Sequence, residues 1–84
     1  MNQTMNQEVN VLAYYFSHDS GRCFPKRIEI GGQSLDFIEG LRCLVQRGKS
    51  VLQIFNMTDG QRQYRLSFEP EQRIWKLLSM KAIS

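Results

Sequence analysis

Three adjacent residues, His18, Asp19 and Ser20, are the residue types of a hydrolase triad. In a working triad the hydroxyl, the imidazole and the carboxylate converge from separate segments, a geometry that sequence neighbours do not easily reproduce. Asp and Ser are also frequent loop residues, because their side chains hydrogen-bond to the nearby backbone. The sequence therefore favours a loop at this position over a catalytic site.

The two cysteines, Cys23 and Cys43, are the other candidates for chemistry. A Cys23 nucleophile would need a neighbouring base, and His18 is the only histidine of the chain. Zinc sites are usually built from closely spaced pairs such as Cys-x-x-Cys, and the sequence contains no such pair. We expect free thiols, no metal, no cofactor and no enzymatic activity.

Charge is distributed unevenly along the chain. Residues 1–39 carry three basic and five acidic side chains, whereas residues 40–84 carry eight basic and three acidic ones. A basic half attracts phosphates without reading sequence, and an aromatic side chain can stack on bases. The candidate nucleic-acid contacts are therefore Lys49, Arg65, Lys76 and Tyr15. The net charge of +3 is mild, and the sequence carries no RRM, KH or zinc-finger signature.

The strongest local signal is a β-hairpin around Asp59-Gly60, because Gly accepts the positive φ of a tight turn. A two-residue turn pairs Phe55 with Tyr64, whereas a three-residue turn pairs Ile54 with Tyr64. The two registers differ by one residue, which moves the side chains of one strand to the opposite face of the sheet. The first register is favoured because it gathers six apolar side chains on one face: Val51, Phe55, Met57, Tyr64, Leu66 and Phe68. It leaves Leu52 and Ile54 on the opposite face.

The preceding segment, 35–47, has helical periodicity. Ser34 is a suitable N-cap, and Gly48 is suited to the position after the last turn. The segment predicts a helix, although Gly40 at its centre costs about 1 kcal/mol relative to Ala. Its docking stripe comprises Phe37, Ile38, Leu41, Leu44 and Val45, and Cys43 lies off that stripe, exposed to solvent.

Further strands are expected at 9–16 and at 26–30, with Pro25 at the start of the second. Residues 73–83 are compatible with a helix or with a strand, and a strand is favoured because sequential strands usually pair. The expected fold is α+β: a single small domain over residues 9–84, with an antiparallel meander of four or five strands and one helix packed on a face. Residues 1–8 are expected to be a disordered tail.

No signal peptide and no apolar run long enough to span a bilayer are evident, so a cytoplasmic location and no membrane association are expected. A non-catalytic protein-interaction module is the favoured function, with a homodimer as one form. Leu52 and Ile54 are the candidate interface residues, because either register leaves apolar side chains on both faces of the hairpin. The alternative is weak, sequence-nonspecific nucleic-acid binding by the basic C-terminal half.

Overall fold

The computed structural model describes residues 2–16 and 23–82, and within them the chain forms β-strands and no helix. All paired strands are antiparallel, and they form one seven-stranded sheet in the order β3-β2-β1-β7-β6-β5-β4. The strands are β1 Asn2–Phe16, β2 Cys23–Ile30, β3 Gln33–Asp36, β4 Glu39–Arg47, β5 Ser50–Thr58, β6 Arg62–Glu69 and β7 Ile74–Ala82. The protein is therefore all-β, and the expected α+β class is wrong.

The sheet curls so that its two edge strands, β3 and β4, meet at a corner formed by Phe37 and Ile38. The Phe37 N–H donates to the carbonyl of Lys26 in β2 (2.8 Å), and the Ile38 N–H donates to the carbonyl of Thr58 in β5 (2.9 Å). On the other side of the molecule, register shifts around Ala13 interrupt the β1–β2 pairing. Such bulges bend and twist a strand, and here they allow β2 to fold over β5.

The core fills the space enclosed by this curl. Aromatic contacts cross it, with the ring centroids of Phe24 and Phe55 5.8 Å apart and those of Phe37 and Tyr64 5.3 Å apart. The face of the sheet that lines this core is called the inner face below. The buried residues of the core cluster are Val9, Phe24, Ile28, Phe37, Phe55, Met57, Tyr64, Leu66 and Leu77.

The helix predicted over 35–47 is wrong, because this segment comprises the end of β3, the corner and all of β4. Of the predicted docking stripe only Phe37 is buried, while Ile38, Leu41, Leu44 and Val45 are exposed. The helix was predicted because the apolar side chains of this segment, which in β4 lie on both faces, repeat at helical spacing. The prediction of an exposed, unpaired Cys43 is confirmed, although the helical argument for it was not correct.

The hairpin of β5 and β6 is present, but its pairing is shifted by two residues from the favoured register. Tyr64 lies opposite Met57, and Leu66 lies opposite Phe55. A shift of two preserves the side-chain faces, so Phe55, Met57, Tyr64 and Leu66 share the inner face as expected. The shift arises because the loop has four residues, Asp59 to Arg62, between the paired Thr58 and Gln63.

Two other predictions concern the ends of the chain. The strand favoured over 73–83 is confirmed as β7, which pairs with β6 and with β1. β1 begins at Asn2, so its pairing with β7 extends through residues that the sequence predicts to be a disordered tail. The triad-like residues His18, Asp19 and Ser20 lie outside the described residues.

Candidate protein-interaction surface

The sheet has an outer face opposite the core, and the strand register identifies its residues. Directly paired residues of neighbouring strands share a face. One such row runs from Cys43 to Ile54, Ser67 and Lys76 across β4, β5, β6 and β7. Ile54 is only 3% exposed but lies outside the core cluster, which agrees with its place on the outer face. The outer face includes Leu41, Cys43, Val45, Leu52, Ile54, Arg65, Ser67 and Lys76.

Strand β4 lies at the edge of the sheet and is paired with β5 alone among the described strands. It begins at the Phe37–Ile38 corner and ends at a two-residue turn, Gly48-Lys49, between the paired Arg47 and Ser50. Gly48 has a φ of +57°, the positive value that the first central residue of a two-residue hairpin turn adopts. The turn and the corner therefore fix both ends of β4.

β4 lacks three of the usual features that prevent an edge strand from pairing with another chain, namely shortness, a bulge and Lys or Pro residues, although Arg42 places a charge near its middle. Natural edges are often short, bulged, or interrupted by Lys or Pro. β4 has nine residues, contains no Lys or Pro, and pairs with β5 without a register shift. The opposite edge, β3, has only four residues. Of the two edges, β4 is the one open to strand addition.

Apolar side chains on β4 are exposed to solvent. Leu41 is 74% exposed and Leu44 is 59% exposed, and Val45 is also solvent-accessible. Leu41 and Val45 lie on the outer face, while Leu44 lies on the other side of the strand beside Arg42 and Gln46. Three apolar side chains are therefore exposed within five positions of one strand edge.

The hydrogen-bonding groups of β4 alternate between β5 and the open edge. A two-residue turn closes on a hydrogen-bonded pair, so Arg47 and every second residue before it bond to β5. The intervening residues, Gly40, Arg42, Leu44 and Gln46, therefore direct their N–H and C=O groups outward. These are the backbone groups available to an added strand.

Charged side chains lie at the two ends of β4, with Glu39 at its start and Arg47 at its end. Arg42, between them, donates from Nε to Oε1 of Gln53 at 3.2 Å, which holds its side chain against its own sheet. Glu39 also acts on Tyr15 of β1, a strand that is not adjacent to β4 in the sheet order. Burial, and then the negative charge of Glu39, raise the pKa of the Tyr15 hydroxyl.

The candidate interface residues from the sequence, Leu52 and Ile54, both lie on the outer face. Ile54 is buried and Leu52 is half-buried, so neither presents as much apolar surface as Leu41 or Leu44. The predicted position of both residues on the face opposite the core is confirmed by the strand register, and their role at an interface stays a prediction. The most exposed apolar residue of the described chain, Leu41, lies on the neighbouring strand, β4, and Phe16 on β1 and Ile38 in the corner follow it at 68%.

The four candidate nucleic-acid contacts do not form one surface. Arg65 and Lys76 lie on the outer face, where Glu8 of β1 occupies the strand position opposite Lys76 of β7. Lys49 lies in the β4–β5 turn. Tyr15 instead stacks on Phe24 with a centroid separation of 5.4 Å and packs against the core. Tyr15, the candidate for base stacking, is therefore separated from the candidate cations.

The residues considered for chemistry are dispersed. Cys23 and Cys43 are both exposed and free, and they lie on β2 and β4. In the part of the chain that the structure describes, no group of three or more His, Cys, Asp and Glu side chains is arranged to hold a metal ion. Over the same residues, no helix is long and apolar enough to cross a membrane.

Sequence reasoning missed the exposure of Leu41, Leu44 and Val45, because it assigned them to a helix that buries them. Two local signals pointed to a strand. Gly40 lies at the centre of the segment, where a helix is destabilised by it. Gly48-Lys49 is followed by Ser50 and Val51, and a Gly-x pair before a β-rich run is itself a hairpin signal.

Comparisons of the chain with protein-family models, with curated proteins and with solved structures found no match.

Proposed function

We propose that this domain is a non-catalytic protein-interaction module that binds an extended partner segment by adding it as a strand beside β4. The observation that carries the proposal is the nine-residue edge of β4 with its exposed Leu41, Leu44 and Val45. Added strands gain affinity from main-chain hydrogen bonds and specificity from alternate side chains. β4 offers both kinds of contact.

A substitution at the edge tests this function. Lys is a common residue for blocking edge strands, so Leu41→Lys should abolish binding while leaving the fold intact, since Leu41 is largely solvent-exposed. Leu12→Lys is the matched control, because Leu12 is a 52% exposed leucine on β1, far from β4 in the strand order. Both variants should retain the wild-type far-ultraviolet circular dichroism spectrum.

The probe is a phage-displayed library of twelve-residue peptides, selected on wild-type protein immobilised sparsely enough that copies cannot pair. We expect enrichment of extended apolar peptides that bind wild type and Leu12→Lys but not Leu41→Lys. In ¹⁵N spectra these peptides should shift the amides of Arg42, Leu44 and Gln46. Failure to enrich any peptide on wild type over Leu41→Lys would contradict the proposal.

A further inference from the structure

We propose that the partner strand of β4 is β4 of a second copy of this chain, paired antiparallel about a two-fold axis at Cys43. This inference rests on the proposed function, because it names the segment that covers the β4 edge. Two features of β4 support it: the charges at its ends and the direction of its backbone groups.

The charges of β4 are self-complementary. When the strand is laid antiparallel against itself with Cys43 opposite Cys43, Glu39 faces Arg47 of the second copy at both ends. Leu41 then faces Val45, so that apolar side chains of the outer face meet across the axis. Opposite charges and apolar pairs in directly opposed positions stabilise a β-ladder.

The backbone directions agree with the same register. Arg42 and Gly40 direct their N–H and C=O groups outward, as do Leu44 and Gln46. With Cys43 on the axis, Arg42 pairs with Leu44 of the second copy, and Gly40 pairs with Gln46. Each of these pairs exchanges both main-chain hydrogen bonds, and symmetry repeats each pair.

Neighbouring registers are less favourable. An axis at Arg42 sets two guanidinium-bearing residues directly opposite each other, which destabilises a ladder. An axis at Leu44 places Leu41 opposite Arg47 and places Glu39 opposite Lys49, which lies in the turn and not in the strand. The axis at Cys43 is the one that pairs all nine residues of β4 and both of its terminal charges.

Two charge-reversal variants test the register. In Glu39→Arg the opposed positions become Arg and Arg, and in Arg47→Glu they become Glu and Glu, so each variant should dimerise about tenfold more weakly than wild type. Mixing the two variants should restore dimers, because every opposed pair then contains one Arg and one Glu. The double variant Glu39→Arg/Arg47→Glu should also pair like wild type.

Sedimentation equilibrium over a range of protein concentrations measures these dissociation constants. Both substituted residues are exposed, and circular dichroism confirms that each variant folds. Dimers that form equally well in all four proteins, with no gain on mixing, would overturn this register. Dimers that survive Leu41→Lys would overturn pairing through β4.

A cross-link provides a second measurement. Opposed residues that are not hydrogen-bonded to each other have Cα atoms about 4.5 Å apart, within the range that a disulfide spans. In a Cys23→Ser background, diamide should accept the two electrons and two protons of the paired Cys43 thiols and give a covalent dimer. The same protein with Glu39→Arg added should cross-link more slowly, and Cys23→Ser/Cys43→Ser should not cross-link.

The two proposals fail in different ways. A wild-type protein that stays monomeric at millimolar concentration, yet binds selected peptides at β4, retains the proposed function and overturns the second copy as partner. A protein that neither pairs nor binds any peptide at β4 overturns both.

Discussion

Gly40 of β4 occupies a position where a larger residue would not fit. It lies opposite Met57, whose side chain is buried and covers the space where a Cβ would stand. An added Cβ would also lie only 2.9 Å from the carbonyl oxygen of Asn56, a backbone atom that cannot move aside easily. Glycine therefore permits the close packing of Met57 over β4.

We predict that Gly40→Ala destabilises the domain by about 1–3 kcal/mol, the usual cost of overpacking a filled site. Urea unfolding followed by circular dichroism measures the change. Gln46→Ala, an exposed position on the same side of β4, serves as the control and should change stability by less than about 0.5 kcal/mol. Equal stabilities for the two variants would contradict this account of Gly40.

Asp59 organises the four-residue loop that sets the β5–β6 register. Its Oδ1 accepts from the N–H groups of Gln61 and Arg62, each at 2.8 Å, and its Oδ2 accepts from the Tyr64 hydroxyl at 3.1 Å. Burial acts to raise the pKa of Asp59, but these hydrogen bonds to the carboxylate outweigh it and hold the pKa below its ordinary value. The ionised carboxylate is thus favoured by the folded state.

A carboxylate with a lowered folded pKa stabilises the protein above its unfolded pKa, and that stabilisation is lost as the pH falls through the folded value. We predict that wild type is more stable than Asp59→Asn at pH 7 and that this difference shrinks as the pH falls below about 4, near the ordinary pKa of Asp. Urea unfolding of both proteins at pH 7, 4 and 2.5 provides the measurement. A difference that grows on acidification would show that the charge of Asp59 does not act in this way.

Among the strands, β4 and β6 each carry a leucine next to an arginine, and the two leucines differ in burial. Leu41 on β4 is largely exposed, whereas Leu66 on β6 is fully buried in the core. We predict that Leu66→Ala destabilises the domain by about 2–5 kcal/mol, while Leu41→Ala changes stability by less than about 0.5 kcal/mol. Thermal unfolding at low micromolar concentration, where dimers contribute little, compares the two variants.

A large loss of stability for Leu41→Ala would contradict the exposed position of Leu41 on β4. The contrast between the two leucines also shows what periodicity can establish. The alternation of Tyr64, Leu66 and Phe68 identified a strand correctly, because along β6 the inner face is apolar and the outer face carries Arg65 and Ser67. β4 has apolar residues on both faces, so its pattern has no period of two and coincides with a helical one.

The sequence predicted the turn of the β5–β6 hairpin but not its register. Asp59-Gly60 marked the turn, but the length of the loop depends on hydrogen bonds from Asp59 and Thr58 to the residues that follow. Thr58 Oγ1 donates to the carbonyl of Arg62 at 2.8 Å and accepts from the N–H of Gly60 at 3.0 Å. These bonds stabilise a four-residue loop, which residue type alone does not distinguish from a two-residue turn.

For the whole molecule, closure of the sheet depends on contacts between residues far apart in the chain. The pairing of β1 with β7 joins the two ends of the chain, and the Phe37–Ile38 corner joins β2 with β5. No local pattern encodes such contacts, so the sequence predicted most of the strands but neither their number nor the exposed position of β4. The candidate interaction surface follows from this topology, since it makes β4 an edge.

The same topology predicts that the chain can be circularly permuted. Asn2 lies opposite Lys81 in the β1–β7 pair, so a short loop can connect the two ends as a hairpin. We predict that a permutant folds when its original ends are joined by residues 83, 84 and 1 plus two added glycines, and when it opens between Glu71 and Gln72. Those two residues are exposed in the β6–β7 turn, and opening a turn removes no strand pairing.

The matched control opens the chain between Leu66 and Ser67, which are both buried within β6. This second permutant should not fold, because charged chain ends would replace a peptide bond inside a central strand. Far-ultraviolet circular dichroism and urea unfolding compare the two permutants with the natural chain. The free energy of unfolding of the first permutant should lie within about 2 kcal/mol of the natural value, since loop-closure entropy changes slowly with loop length. The β4 edge of the first permutant is unaltered, so this permutant should also dimerise as the natural chain does. If it folds but stays monomeric, the fold with its β4 edge is not sufficient for the proposed pairing.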